Sequence, residues 1–145
     1  MEGRSRQSSE SPMPLQLKLL VLVFLGGGFG SSLRYGVTLA ALRVLGAGFP
    51  WGTFLVNVIG STVMGAFAGY LMTRTPGQNH DAFRLFFMTG ILGGFTTFSA
   101  YSLDTVALWE RGATVTAIVY AVGSVVLSLA VLTAALVVVR GWSAT

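Results

Sequence analysis

The chain has 145 residues, of which 53% are hydrophobic and only 10% are charged. A soluble domain carries about a quarter charged residues, so this composition and the mean hydropathy of +0.74 predict an integral membrane protein. With no cysteine, the chain has no disulfide, thiolate metal site or cysteine nucleophile. The net charge of +4 is spread thinly and does not indicate nucleic-acid binding.

The predicted elements begin with a flexible polar tail over residues 1–16 and continue as a single transmembrane domain over residues 17–142. No small-residue cleavage site closes the first apolar run, so we expect no cleaved signal peptide. About 20 helical residues cross the hydrocarbon. Four apolar segments are long enough, and these are residues 17–45, 51–72, 85–103 and 113–139. The sequence therefore predicts an all-α membrane protein with four transmembrane helices.

The third predicted span has an unusual composition over residues 89–102. Its fourteen residues include three glycines, three threonines, two serines and three aromatic rings. Paired glycines lower helix stability. Non-helical backbone at membrane depth is tolerated only inside protein or beside a water-filled cavity. We therefore expect a helix broken at its centre, at a functional site.

The second span carries Asn57, Ser61, Gly65 and Gly69 at steps of four, which puts them on one helix face. Small residues in such a stripe are typical of helix packing in membranes. The Asn57 carboxamide needs partners in the bilayer and has two N–H donors. Asn57 is therefore a candidate functional residue, with hydrogen bonding between helices as the alternative.

A polar track, defined as Thr116, Tyr120, Ser124 and Ser128, follows the same step in the fourth span. One serine in a membrane helix usually bonds its own i−4 carbonyl, whereas four hydroxyls in register can line a pathway.

Arg34 lies in or near the first span. It either extends to the membrane interface or makes an electropositive vestibule that concentrates anions.

Acidic residues are missing from the predicted spans, because Asp104 and Glu110 fall at a boundary. Proton-coupled exporters and cation pathways usually need a carboxylate in the membrane. The single histidine, His80, lies in a loop, and no hydrolytic triad is recognisable, so we expect no enzyme. Hydroxyls, amides and aromatic ring edges favour a small anion, although carbonyls opened at Gly93, Gly94 or Thr96 equally suit a cation.

The positive-inside rule gives only a weak preference for one orientation in the membrane. One predicted side has Lys18, Arg74, Arg84 and Arg140, and the other has Arg43 and Arg111. This weak bias permits a dimer of oppositely inserted copies without proving it.

The chain resembles the Fluc (CrcB) fluoride channels in four blocks. They are residues 26–35 (GGGFGSSLRY), 51–60 (WGTFLVNVIG), 89–99 (TGILGGFTTFS) and 120–128. The resemblance implies a passive fluoride-selective channel in the plasma membrane (a bacterial-type inner membrane) that exports cytoplasmic fluoride. It also implies an antiparallel, dual-topology homodimer with two pores, surrounded by membrane lipid.

The resemblance further implies roles for individual residues. A structural sodium ion at the dimer interface would be bound by the main-chain carbonyls of Gly93 and Thr96, and Arg34 would line the vestibule. The fluoride pore would be formed by Asn57, Phe98, Tyr101, Tyr120, Ser124 and Ser128. Two positions depart from the family pattern. Tyr101 replaces a phenylalanine, and Leu132 stands where the polar track would continue.

Two other functions remain open at this stage. A four-span proton-coupled small-molecule exporter would need a carboxylate in the first span, and this sequence has none there. A non-transporting membrane assembly subunit would use the glycine faces only for packing.

Overall fold

A computed structural model describes residues 14–73 and 78–142. Most of the predicted tail, residues 1–13, lies outside these ranges. The helices are α1 (Leu15–Leu45), α2 (Trp51–Met72), α3 (Gln78–Arg84), α4 (Gly93–Phe95), α5 (Phe98–Glu110) and α6 (Thr114–Trp142), and a π-helix (Leu85–Leu92) joins α3 to α4. The described ranges contain no strand, so the all-helical prediction is confirmed for them.

Three of these helices, α1, α2 and α6, are long and apolar enough to cross a membrane. They correspond to the first, second and fourth predicted spans, and α1 begins two residues before the predicted domain boundary. The third predicted span is divided among the π-helix, α4 and α5. None of these pieces reaches membrane-spanning length alone.

Two tight turns use glycines with positive φ. Gly46 has φ 79° after α1 and donates its N–H to the Leu42 carbonyl at 3.1 Å. Gly112 has φ 76° between α5 and α6. Left-handed backbone of this kind costs glycine nothing sterically. The chain can therefore reverse direction within a few residues at these two ends.

Close backbone contacts hold the helices together. A Cβ at Gly69 would lie 2.7 Å from the Leu136 carbonyl oxygen, and a Cβ at Gly65 would collide with the Leu132 carbonyl oxygen. On the other side, a Cβ at Gly26 would lie 3.0 Å from the Cα of Gly90 in the π-helix. The glycine stripe of α2 is thus a packing surface for α6, as small residues commonly are in membrane helices.

We expect Gly65→Ala to destabilise the fold, because the new methyl group forces α2 and α6 apart. Overpacking of this kind costs about 1–3 kcal/mol. The measurement is the Tm of the purified protein in detergent. Gly123→Ala on α6 is the matched control, since no atom lies within 4 Å of a Cβ there. A Tm of Gly65→Ala equal to that of the control would contradict the packing argument.

Candidate functional site

The candidate site is built where the helical path between α4 and α5 is interrupted. Thr96 has ψ 159°, and Thr97 has φ −154° and ψ 120°, both extended conformations. The Thr97 hydroxyl accepts a hydrogen bond from the Ala100 N–H at 3.2 Å, which caps the start of α5. The Thr96 hydroxyl donates to the Leu92 carbonyl at 2.9 Å. Each threonine thus closes one of the two helix ends that meet here.

Asn57 on α2 forms a double hydrogen bond with this interruption. Its Nδ2 donates to the Thr97 carbonyl at 3.0 Å, and its Oδ1 accepts from the Thr97 N–H at 2.8 Å. In an unbroken helix, the Thr97 N–H would bond the carbonyl of Gly93. The side chain therefore replaces a helical hydrogen bond, and the Gly93 carbonyl loses its usual donor. One N–H of the carboxamide remains free of any partner in the described ranges.

A cavity of about 430 Å³ lies between α2, the interruption and α6. Its lining is drawn from three stretches of chain, none of which contributes an acidic or basic side chain. The lining residues are Asn57, Gly60, Ser61, Met64, Thr96, Thr97, Phe98, Tyr101, Ser124, Val125, Ser128, Leu129 and Leu132.

Two serines on the α6 side of this cavity have hydroxyls without a hydrogen-bond partner. Ser124 is 3% exposed, and the Oγ atoms of Ser124 and Ser128 are both buried and unpaired within the described ranges. By contrast, Thr133 on the same helix donates to the Leu129 carbonyl at 2.8 Å, which is the usual arrangement. Buried polar groups are nearly always hydrogen-bonded. These two hydroxyls are therefore available to a ligand or to water in the cavity.

Tyr120, the preceding member of the polar track, lies apart from the cavity lining. Its side chain is fully buried, and its ring packs edge-on against Phe49 at 5.4 Å between centroids. Its hydroxyl donates to Asp104 Oδ2 at 3.3 Å. The ring also contacts Tyr101 at 5.5 Å. The structure thus separates Tyr120 from the two serines but keeps it next to the aromatic wall.

Asp104 is a residue that the sequence reasoning missed. Its charge predicts the end of the third span there, and the structure shows that the helix α5 continues past it to Glu110. Thr53 on α2 donates to Asp104 Oδ2 at 2.7 Å, and Tyr120 donates to the same oxygen at 3.3 Å. These bonds keep the carboxylate inside the helix bundle. The signal in the sequence was its spacing of three residues from Tyr101, which puts it on the same face of the helix.

Two aromatic residues of α5, Phe98 and Tyr101, line the cavity with ring centroids 5.3 Å apart. The Phe98 side chain is 76% exposed. The Tyr101 hydroxyl donates to the Ala121 carbonyl at 3.0 Å. The hydroxyl that distinguishes Tyr101 from phenylalanine is therefore bonded to the backbone of α6.

Arg34 lies on α1, outside the residues that line the cavity. Its Nη2 donates to Ser31 Oγ at 3.5 Å, and that hydroxyl donates to the Gly94 carbonyl at 3.4 Å.

Gly93 itself is exposed. No cluster of His, Cys, Asp or Glu among the described residues could hold a metal ion. The assignment of a sodium ion to the Gly93 and Thr96 carbonyls stays a prediction.

The family model described as "CrcB-like protein, Camphor Resistance (CrcB)" matches residues 21–136. The chain belongs to the CrcB family. This match includes the interruption and the cavity and overlaps all four predicted spans. The chain is therefore a multi-pass membrane protein.

Several curated CrcB relatives are similar over most of their length. "Fluoride-specific ion channel FluC 2" of Nitrobacter hamburgensis is 54% identical over 83% of this chain and 95% of its own. Proteins named "Fluoride-specific ion channel FluC" from Rhodopseudomonas palustris and Paracoccus denitrificans are 51% and 55% identical, over 83% and 82% of this chain and 95% and 92% of their own. Because these relatives are named as channels, the prediction that the chain is not an enzyme is confirmed.

We expect Asn57→Ala to destabilise the protein, because the buried N–H and carbonyl of Thr97 both lose their partner. An unsatisfied buried group costs about 1–3 kcal/mol. The measurement is again the Tm in detergent. Thr62→Val is the control, since Thr62 is exposed and its hydroxyl bonds only the Val58 carbonyl of its own helix. A Tm for Asn57→Ala as high as that of Thr62→Val would contradict the structural role of the carboxamide.

Proposed function

We propose that the chain is a passive fluoride-selective channel that exports cytoplasmic fluoride. The observation that carries the proposal is the pair of buried, unpaired hydroxyls of Ser124 and Ser128 in a cavity without charged lining residues. The printed names of the CrcB relatives support the same anion. Hydroxyl and amide donors bind an anion without a fixed cation that would trap it.

The pathway follows from the donors that the site leaves free. Fluoride is small and strongly hydrated, so each lost water must be replaced by a nearby donor. Ser124, Ser128 and the free N–H of Asn57 supply polar donors, while the rings of Phe98 and Tyr101 offer their positive edges. Tyr120 contacts the Tyr101 ring from behind the cavity lining, so in this proposal it belongs to the pore as a support of that ring rather than as a free donor. Arg34 attracts anions to the vestibule.

Export needs no coupled reaction. Neutral HF enters a cell from acidic surroundings and dissociates in the cytoplasm. The membrane potential then drives the anion outward with about 2.3 kcal/mol per 100 mV. The lining of the cavity also argues against the proton-coupled exporter. It contains no carboxylate, and the carboxylate of Asp104 is bonded to Thr53 and Tyr120.

The functional unit in this proposal is an antiparallel, dual-topology homodimer with two pores. The 76% exposed ring of Phe98 borders the cavity and would be covered by a second copy. The weak charge bias of the loops is compatible with two orientations. A membrane assembly subunit without transport would use the same contacts but would not need unpaired hydroxyls.

A structural sodium ion fits the backbone of the interruption. The Gly93 carbonyl has lost its helical donor to Asn57, and Gly93 is exposed. The extended Thr96 turns its carbonyl out of the helical path. Unwound backbone carbonyls of this kind suit sodium. Gly93 and Thr96 would hold the ion, which would add positive charge at the subunit interface.

The test is fluoride efflux from liposomes, measured with a fluoride electrode on the purified protein. We expect rapid fluoride efflux after a potassium ionophore sets the potential, and no chloride efflux above that of empty liposomes. Fluoride efflux equal to that of empty liposomes would disprove the proposal. Equal efflux of chloride would disprove the selectivity.

We expect Tyr101→Phe to keep a working channel, because the lost hydroxyl bonds the Ala121 carbonyl rather than the anion. One such bond contributes about 1 kcal/mol to stability, and even if all of it entered the barrier to conduction, the rate would change only about fivefold. Fluoride efflux should therefore stay within that factor of the unmodified protein. Tyr35→Phe on the exposed surface of α1 is the control. Complete loss of efflux only in Tyr101→Phe would mean that the hydroxyl serves the anion.

A further inference from the structure

Ser61 on α2 is a cavity residue whose hydroxyl has no partner. It lies one helical turn after Asn57, is half-buried and lines the same cavity as Ser124 and Ser128. Its Oγ makes no hydrogen bond within the described ranges, although the Asn57 carbonyl lies four residues earlier. The neighbouring Thr62 makes that local bond to Val58 at 2.9 Å, as hydroxyls in helices usually do.

The packing of α2 against α6 fixes the position of Ser61 along the helix axes relative to the residues of α6. Gly65 meets Leu132, and Gly69 meets Leu136, so a step of four residues on one helix matches a step of four on the other. The two helices therefore run parallel in register. One turn back along both, about 6 Å, Ser61 is level with Ser128.

The same register extends one more turn. Asn57 is then level with Ser124. The cavity therefore has one polar residue on α2 and one on α6 at two successive helical turns. Beyond Ser61 and Ser128, the lining on both helices becomes apolar, with Met64 on α2 and Leu132 on α6. The polar part of the lining thus has the same length on α2 as on α6.

We propose that Ser61 is an anion-coordinating residue that acts together with Ser128 on the adjacent helix α6. This inference rests on the proposed fluoride conduction and extends it to a residue on α2. An anion at this height loses water on both sides as it enters, and donors on α6 alone would replace it on one side only. The two hydroxyls can rotate to donate from two neighbouring helices, so neither helix needs a charged group.

The test is the fluoride dependence of efflux for Ser61→Ala and Ser61→Thr in liposomes. We expect Ser61→Ala to lower the efflux rate about tenfold at low fluoride, the size expected for losing one hydrogen bond to an ion. Ser61→Thr keeps the donor and should retain most of the rate. Thr62→Val is the matched control, since it removes a neighbouring hydroxyl from the exposed face.

Tm and crosslinking measurements on the same variants separate conduction from folding. Ser61 has no partner within the described ranges, so Ser61→Ala should leave the Tm and the dimer fraction unchanged. If the unmodified protein conducts fluoride and Ser61→Ala conducts equally at every concentration, Ser61 is not a ligand and the proposed function stands. If the unmodified protein does not conduct, the proposed function and this inference both fail.

Discussion

Two hydrogen bonds join the Asn57 carboxamide to the main-chain carbonyl and N–H of Thr97, at 3.0 and 2.8 Å, and the rest of the site depends on them. An interrupted helix leaves backbone groups unpaired, and the bilayer offers no water to pair them. The carboxamide has one donor and one acceptor in the geometry that a peptide needs. It therefore makes the interruption tolerable and sets where α5 begins.

This interaction links the two alternatives that the sequence left open for Asn57. The side chain bonds another helical segment, which is the structural alternative. It also lines the cavity with a remaining N–H, which is what the functional alternative requires. A carboxamide has enough hydrogen-bonding groups for both tasks, whereas a hydroxyl does not. A serine at this position could not pair both polar groups of the Thr97 peptide in the same way and still offer a donor to the cavity.

Much of the architecture was predictable, because apolar length and charge determine where a membrane helix can lie. The second span was predicted at residues 51–72, which are the bounds of α2. The site was harder, because periodicity identifies a helix face but not its neighbour. Tyr120 shares a face with Ser124, yet its longer side chain reaches Asp104. The charge of Asp104 predicts the end of a span. The sequence does not reveal that its carboxylate is bonded to Thr53 and Tyr120. The pore and sodium assignments remain predictions.

The glycine contacts of α2 with α6 also have a mechanical consequence. Gly65 and Gly69 have no side chain of their own that could change rotamer against the α6 backbone, and close-packed interfaces resist compression. These two helices should therefore move as one stiff body. Any change in the width of the cavity must then come from the opposite side, where α5 begins at an interruption and carries an exposed aromatic ring. The conduction path would then be bounded by α2 and α6 as two rigid sides and by a compliant side on α5, and the compliance would reside in the exposed ring of Phe98.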